Sequence, residues 1–179
     1  MDPDESDIPP LPELHYGVQG LIAEGGMGKI YRAWDPVLER PLAMKVLKAG
    51  RSSSSAGRNI ASAGLVRRFV DEARITGKLD HPGVVPIHAL DIDEDGHHFF
   101  TMQLVEGMTF QEVIKKARDE REGWNLTRAI HSLQRACATV AYAHSRGVLH
   151  RDLKPANIMV GAFGETYVMD RGLAKDMRS

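Results

Sequence analysis

The segment from His150 to Asn157, with the sequence His-Arg-Asp-Leu-Lys-Pro-Ala-Asn, contains the residue types that phosphoryl transfer to a hydroxyl group requires. Such a transfer needs a carboxylate that accepts the hydroxyl proton, a cation near the phosphoryl group and a ligand for Mg²⁺, all held rigidly. Asp152 can supply the carboxylate, Lys154 the cation and Asn157 the ligand. The alternative interpretation is a charged turn that precedes a strand. We predict a phosphoryl-transfer site here.

Lys45 and Glu72 are a second set of candidate functional groups. Lys45 lies in an apolar strand, where alternation places it with Ala43 on one face and Leu42 and Met44 on the other. Glu72 falls on the inward stripe of a predicted helix. A buried charge is costly unless it is paired, and a pair between these two residues would satisfy both. We therefore predict that they form an ion pair.

A glycine cluster precedes these residues. The segment from Ala23 to Ile30 reads Ala-Glu-Gly-Gly-Met-Gly-Lys-Ile. The glycines Gly25, Gly26 and Gly28 would let the backbone of a strand-turn-strand unit approach phosphate groups. By itself the cluster is also typical of a plain hairpin. A Walker-type loop is excluded, because isoleucine rather than serine or threonine follows the lysine and alanine occupies the first glycine position.

Together these motifs resemble those of the protein kinases, specifically the bacterial members of the eukaryotic-like serine/threonine kinases. His150 to Asn157 matches the family's catalytic loop, and Lys154 is typical of the serine/threonine branch. The resemblance runs from about Tyr16 to the last residue. It implies ATP and Mg²⁺ as cofactors and a protein substrate with serine or threonine acceptors. The catalytic residues that it implies are Asp152, Lys154, Lys45 and Glu72.

The same resemblance implies an ATP site in which the glycine cluster covers the phosphates and Lys45 contacts them. Ile30, Ala43 and Met159 would enclose the adenine, and Met102 would stand at the gatekeeper position next to a hinge whose backbone binds the purine edge. The implied ATP-binding residues are Ala23, Gly25, Gly26, Gly28, Ile30, Ala43, Lys45, Met102, Gln103, Val105 and Met159.

Asp170, Arg171 and Gly172 occupy the place of the family's Asp-Phe-Gly motif. The resemblance implies that Asp170 binds Mg²⁺ together with Asn157. Arg171 departs from the family, because a guanidinium group cannot enter an aromatic site without losing hydration or finding an acceptor. With Ala23, this departure supports an alternative function, a pseudokinase or nucleotide-binding regulatory module without transferase activity. A non-functional remnant is a third interpretation.

The elements that position these residues follow from local patterns. We predict an antiparallel meander from Tyr16 to Leu47, a helix from Leu65 to Leu79, and strands from Val84 to Asp91 and from His98 to Val105. A capping box at Thr109 predicts a helix to Arg118, and a longer helix runs from Leu126 to Ser145. The fold class is α+β and protein-kinase-like, a five-stranded antiparallel N-lobe with one helix plus the first part of a mainly helical, incomplete C-lobe.

Two further predictions concern side chains outside the motifs. The long helix carries Ile130, Leu133, Cys137 and Val140 on one face, and the cysteine is interpreted as a small buried hydrophobic residue. The acidic segment from Asp91 to Gly96 resembles half of an EF-hand loop. Its twelfth position is a methionine, so we predict a hairpin turn rather than a calcium site, with the following histidines solvated.

The domain organisation is predicted in three parts: residues 1–14 as a disordered acidic and proline-rich lead-in, 15–105 as the N-lobe with a flexible serine-rich loop at 51–64, and 106–179 as a partial C-lobe. The composition, with 42% hydrophobic and 26% charged residues, is that of a globular protein. A net charge of −1 argues against nucleic acid as a partner. The sequence contains no predicted membrane segment, and its single cysteine favours a cytoplasmic location.

Overall fold

The computed structural model describes residues 16–48, 62–169 and 175–176. Its largest sheet is five-stranded, with the order β1-β2-β3-β5-β4 and antiparallel neighbours throughout. The strands are β1 (Gly17–Glu24), β2 (Gly28–Asp35), β3 (Arg40–Leu47), β4 (Ile87–Ile92) and β5 (His98–Gln103). The predicted five-stranded sheet is confirmed, although β4 begins later and β5 ends earlier than predicted.

Helix α1 (Ala63–Gly77) packs on one face of this sheet. It begins two residues before the predicted start, because the Ser62 side chain accepts a hydrogen bond from the Leu65 amide and caps the helix there. The predicted flexible loop at 51–64 is therefore wrong for its last two residues, while residues 51–61 lie outside the described part. Phe69 and Ala73 of α1 are buried against the sheet, which turns Glu72 toward β3.

The remaining elements form a second, smaller part of the fold. They are β6 (Met108–Thr109), α2 (Phe110–Arg118), α3 (Leu126–Ser145), β7 (Val148–Leu149), β8 (Ile158–Val160), β9 (Thr166–Val168) and β10 (Lys175–Asp176). Strands β6, β8 and β9 make a three-stranded sheet, and β10 pairs with β7. The predicted capping box is present, since the Thr109 amide donates to Glu112 Oε2 over 2.7 Å. The Thr109 hydroxyl donates to the same oxygen over 2.8 Å, and this bond, followed by that from the amide, lowers the pKa of Glu112.

Helix α3 leaves most of the apolar stripe that its periodicity defines exposed. The helix buries small residues, namely Ala129, Ser132, Ala136, Thr139 and Ala143, and leaves Ile130, Leu133 and Cys137 exposed. Small side chains allow close approach of the neighbouring backbone, and the hydroxyls of Ser132 and Thr139 donate to carbonyls one turn earlier in the helix. The interpretation of Cys137 as a buried residue is therefore wrong.

A short loop between α1 and β4 packs against the second part of the fold. Gly83 packs so closely against α3 that a Cβ atom there would lie 1.9 Å from Thr139 Oγ1. The Gly83 carbonyl accepts a hydrogen bond of 2.9 Å from the Val168 amide of β9. On the other side of the loop, the Asp80 amide donates to the Tyr142 hydroxyl over 3.2 Å. These contacts hold α1, and with it Glu72, in a defined place relative to α3 and β9.

Among the described residues, none of the helices has the length and apolar character needed to span a bilayer. The predicted lead-in at residues 1–14 lies outside the described part of the chain.

Candidate functional site

A cleft of about 220 Å³ lies between the large sheet and strands β8 and β9. Its walls are mostly apolar, as a flat aromatic ligand requires. It brings together the predicted site residues Ala23, Ile30, Ala43, Lys45, Met102, Gln103, Val105, Asn157 and Met159. Sequence reasoning missed other residues of the wall, which include Ile22, Thr76, Val85, Leu104 and Val168. Most of these are ordinary apolar residues, and no local signal separates them from the rest of the core.

The backbone at the back of this cleft has a specific hydrogen-bonding pattern. The main-chain amide of Gln103 donates to the Pro86 carbonyl over 3.0 Å. The main-chain group of Gln103 that could bind a purine is therefore its carbonyl oxygen. The Val105 amide makes no backbone hydrogen bond within the described part of the chain. The side chain of Gln103 donates to the Tyr167 hydroxyl over 3.2 Å and links β5 to β9. The segment thus offers main-chain groups to the edge of a planar ring.

A second space of about 440 Å³ continues from the first and shares Ala23, Ile30 and Lys45 with it. We refer to it as the outer space. The glycine cluster, including Gly25, Gly26 and Gly28, lines this space, and Asp152 lines it as well. Arg68 of α1 also borders the outer space, and sequence reasoning missed this residue. Its separation of one helical turn (i, i+4) from Glu72 could have placed it on the same face.

Lys45 and Glu72 form the predicted ion pair. Lys45 Nζ lies 2.6 Å from Glu72 Oε1, and the side chains are only 7% and 8% exposed. The lysine ammonium group also lies 5.6 Å from the centroid of the Phe100 ring. Because Lys45 borders both cavities, the pair stands at the junction of the apolar cleft and the outer space.

Asp152, Lys154 and Asn157 lie in contact with one another. Lys154 Nζ is 2.7 Å from Asp152 Oδ2. The side-chain nitrogen Nδ2 of Asn157 donates to that same oxygen over 3.0 Å and to the main-chain carbonyl of Asp152 over 2.8 Å. The hydrogen bond from Lys154 is the main cause that lowers the pKa of Asp152 below its ordinary value of 3.8. The Asp152 carboxylate is therefore ionised near neutral pH. The side-chain oxygen Oδ1 of Asn157 is a candidate metal ligand.

His150 supports the loop from beneath. Its Nδ1 accepts a hydrogen bond from the Asp152 amide over 3.3 Å, which places the ring proton on Nε2, and Nε2 lies 2.7 Å from the Met169 carbonyl. Arg151, between them, has a φ of 63°, a left-handed conformation that is uncommon for a residue with a side chain. Such backbone persists only where the surroundings enforce it. The buried histidine thus holds the backbone at Asp152 in place.

Gly28 is the member of the glycine cluster whose lack of a side chain the packing requires. A Cβ atom at Gly28 would lie 2.5 Å from the Val46 carbonyl oxygen of β3, whereas one at Gly26 would meet no atom within 4 Å. We expect Gly28→Ala to lower the free energy of unfolding by about 1–3 kcal/mol, because β2 and β3 must separate. Gly26→Ala, the matched control, should change it by less than about 0.5 kcal/mol. Urea denaturation measures both, and equal effects would contradict the packing argument.

Two predicted site residues, Asp170 and Arg171, lie outside the described residues.

The acidic segment before β5 is a hairpin turn, as predicted, in which Asp93 Oδ1 accepts from the amides of Asp95 and His97. His97 is not simply solvated, since its Nδ1 lies 3.1 Å from Asp93 Oδ2. The turn therefore uses its side chains to hold its own backbone.

Comparison with known proteins agrees with this geometry. The family model described as protein kinase domain matches residues 16–179. Serine/threonine-protein kinase PknD of Protochlamydia amoebophila is 38% identical in an alignment of length 179 that covers 96% of this chain and 17% of that protein. Proteins of the same name from Chlamydia abortus and Chlamydia caviae are 36% and 37% identical, over 92% and 90% of this chain and 18% and 17% of those proteins. The chain thus spans less than a fifth of the length of these relatives. With the catalytic-loop geometry and these matches in agreement, the chain belongs to the protein kinase family.

Proposed function

We propose that the chain carries the nucleotide site and the catalytic loop of an ATP-dependent serine/threonine protein kinase. The observation that supports this most is the arrangement around the outer space. Lys45, which forms a buried ion pair with Glu72, borders this space together with the glycine cluster and Asp152. The division into an N-lobe at 15–105 and a partial C-lobe at 106–179 is part of this proposal. So is a cytoplasmic location, which the single cysteine favours.

The residues present fit Mg-ATP. The apolar cleft suits adenine, with Ile30 and Met159 among its lining residues and the backbone of Gln103 and Val105 at the ring edge. The glycine cluster and Lys45 would hold the phosphates, and Asn157, with Asp170, would hold the metal. Bound Mg-ATP supplies the phosphoryl group and the cation that neutralises its charge.

In the proposed reaction, the hydroxyl oxygen of a serine or threonine forms a bond to the γ-phosphorus, and the bond from that phosphorus to the β–γ bridging oxygen breaks. ADP leaves with that oxygen. Asp152 accepts the hydroxyl proton, which its ionised state permits. Lys154, held at 2.7 Å from Asp152, would place a positive charge beside the transferring group.

Incubation of the full-length gene product with γ-labelled ATP and a protein acceptor tests this function, with identification of the labelled amino acids. We expect label on serine and threonine. Label on tyrosine would contradict the assignment to the serine/threonine branch. Binding of Mg-ATP without any transfer would instead support the alternative, a nucleotide-binding regulatory module.

A further inference from the structure

Arg68 is a charged residue of the outer space to which none of the roles above is assigned. It lies on α1, one helical turn before Glu72, and its side chain borders the same space as Gly25, Gly26 and Asp152. It does not border the apolar cleft. Its place is therefore at the phosphate side of the site and away from the adenine side.

The other charged groups around the outer space already have partners of opposite charge. Lys45 contacts Glu72 at 2.6 Å, Asp152 contacts Lys154 at 2.7 Å, and Glu24 contacts Lys48 at 2.8 Å. Arg68 forms no ion pair and no side-chain hydrogen bond with any residue of 16–48 or 62–169. Among these described residues, it is the cation at this space that lacks an anion. An exposed arginine at the border of this space is placed for an anionic ligand.

We propose that Arg68 binds the terminal phosphate group of the nucleotide, from the side of α1. Guanidinium offers planar, paired N–H donors that match two oxygens of one phosphate group, and such charge-assisted hydrogen bonds are stronger than neutral ones. The adenosine part of the ligand lies in the apolar cleft, which Arg68 does not line. Arg68 therefore discriminates a nucleoside triphosphate from a nucleoside, and this assignment rests on the proposed function.

The chain contains a matched control for this role. Arg67 is the neighbouring residue of the same helix and carries the same charge. Its side chain is 85% exposed, lies 3.8 Å from Asp71, and borders neither cavity. Removal of either arginine changes the net charge of α1 equally, so a difference between the two variants reports on local contact rather than on the general field.

The test measures dissociation constants of Mg-ATP, Mg-ADP and adenosine by calorimetry for the full 179-residue chain. We expect Arg68→Gln to raise the constant for Mg-ATP about tenfold and to leave that for adenosine unchanged, with a smaller rise for Mg-ADP. Arg68→Lys keeps the charge without the paired donors, so its effect should lie between wild type and Arg68→Gln. Arg67→Gln should change none of the three.

Two results would overturn the inference about Arg68: an unchanged affinity for Mg-ATP in Arg68→Gln, or a loss of equal size for Mg-ATP in Arg67→Gln. An equal loss for adenosine would also overturn it, because it would show a structural effect of the substitution. Failure of the unsubstituted chain to bind adenosine at all would contradict the proposed nucleotide site itself, which separates the two claims.

Discussion

Replacement of Lys45 by methionine is expected to lower the free energy of unfolding by about 3–5 kcal/mol, because it leaves a buried carboxylate without its lysine. The side chains of Lys45 and Glu72 are 7% and 8% exposed, so water cannot take the place of the lost ion pair. The same change should weaken binding of Mg-ATP by at least about tenfold, since Lys45 is the buried cation that borders both cavities. Urea denaturation and calorimetry measure the two effects.

A double variant separates stability from function. In Lys45→Met/Glu72→Met both charges are gone, and apolar side chains of similar length fill the space. We expect most of the stability to return, because an apolar pair often replaces a buried ion pair without loss, whereas the affinity for Mg-ATP should stay low. Lys48→Met, which breaks an exposed pair with Glu24, is the control and should cost less than about 1 kcal/mol. If nucleotide affinity returned with stability, the role of Lys45 would be only structural.

The second large effect is expected for Asp152→Asn in the full-length gene product. Asparagine keeps the size of the side chain but cannot accept the hydroxyl proton, so the rate of phosphoryl transfer should fall by about 10²–10⁴-fold. Because the Asp152 side chain is 58% exposed, the melting temperature should hardly change. The affinity for Mg-ATP should stay within about threefold of wild type, since the proposed role is in proton transfer rather than in binding.

The pH dependence provides a further check on Asp152. Its pKa is lowered, mainly by the hydrogen bond from Lys154, so the carboxylate is ionised above about pH 5 and the transfer rate should show no acidic limb from this group between about pH 5 and 8. Asp95→Asn, an exposed carboxylate of the β4–β5 turn, is the control and should leave transfer unchanged. Retention of more than about half of the transfer rate in Asp152→Asn would rule out the proposed role.

Local signals were sufficient for several elements. The capping box between Thr109 and Glu112 and the residues up to Arg118 predicted α2 with its observed bounds. The alternation around Lys45 predicted which face of β3 it shares with Ala43, because strand geometry has a period of two residues whatever the rest of the fold is. The same local logic missed the start of α1, where the serine that caps the helix lies inside a serine-rich segment and cannot be told apart from its neighbours.

The orientation of α3 could not be predicted from its own residues. Periodicity correctly indicated a stripe of larger apolar residues, including Ile130 and Leu133, but the buried face is the neighbouring stripe of small residues. The close contact between Gly83 and Thr139 explains this choice, because only small side chains let the loop after α1 approach the helix so closely. A rule that assigns the most hydrophobic stripe to the core has no information about that loop.

The sequence by itself determined the family, the catalytic loop and the partners Lys45 and Glu72, because each of these depends on residue types at fixed spacing or on a charge that burial forces to pair. Only the tertiary structure decided which residues share the outer space, since Arg68, the glycine cluster and Asp152 come from three separate elements. Their meeting depends on how α1 packs on the sheet and how the loop after it contacts α3 and β9. Those contacts are long-range, and no local pattern encodes them.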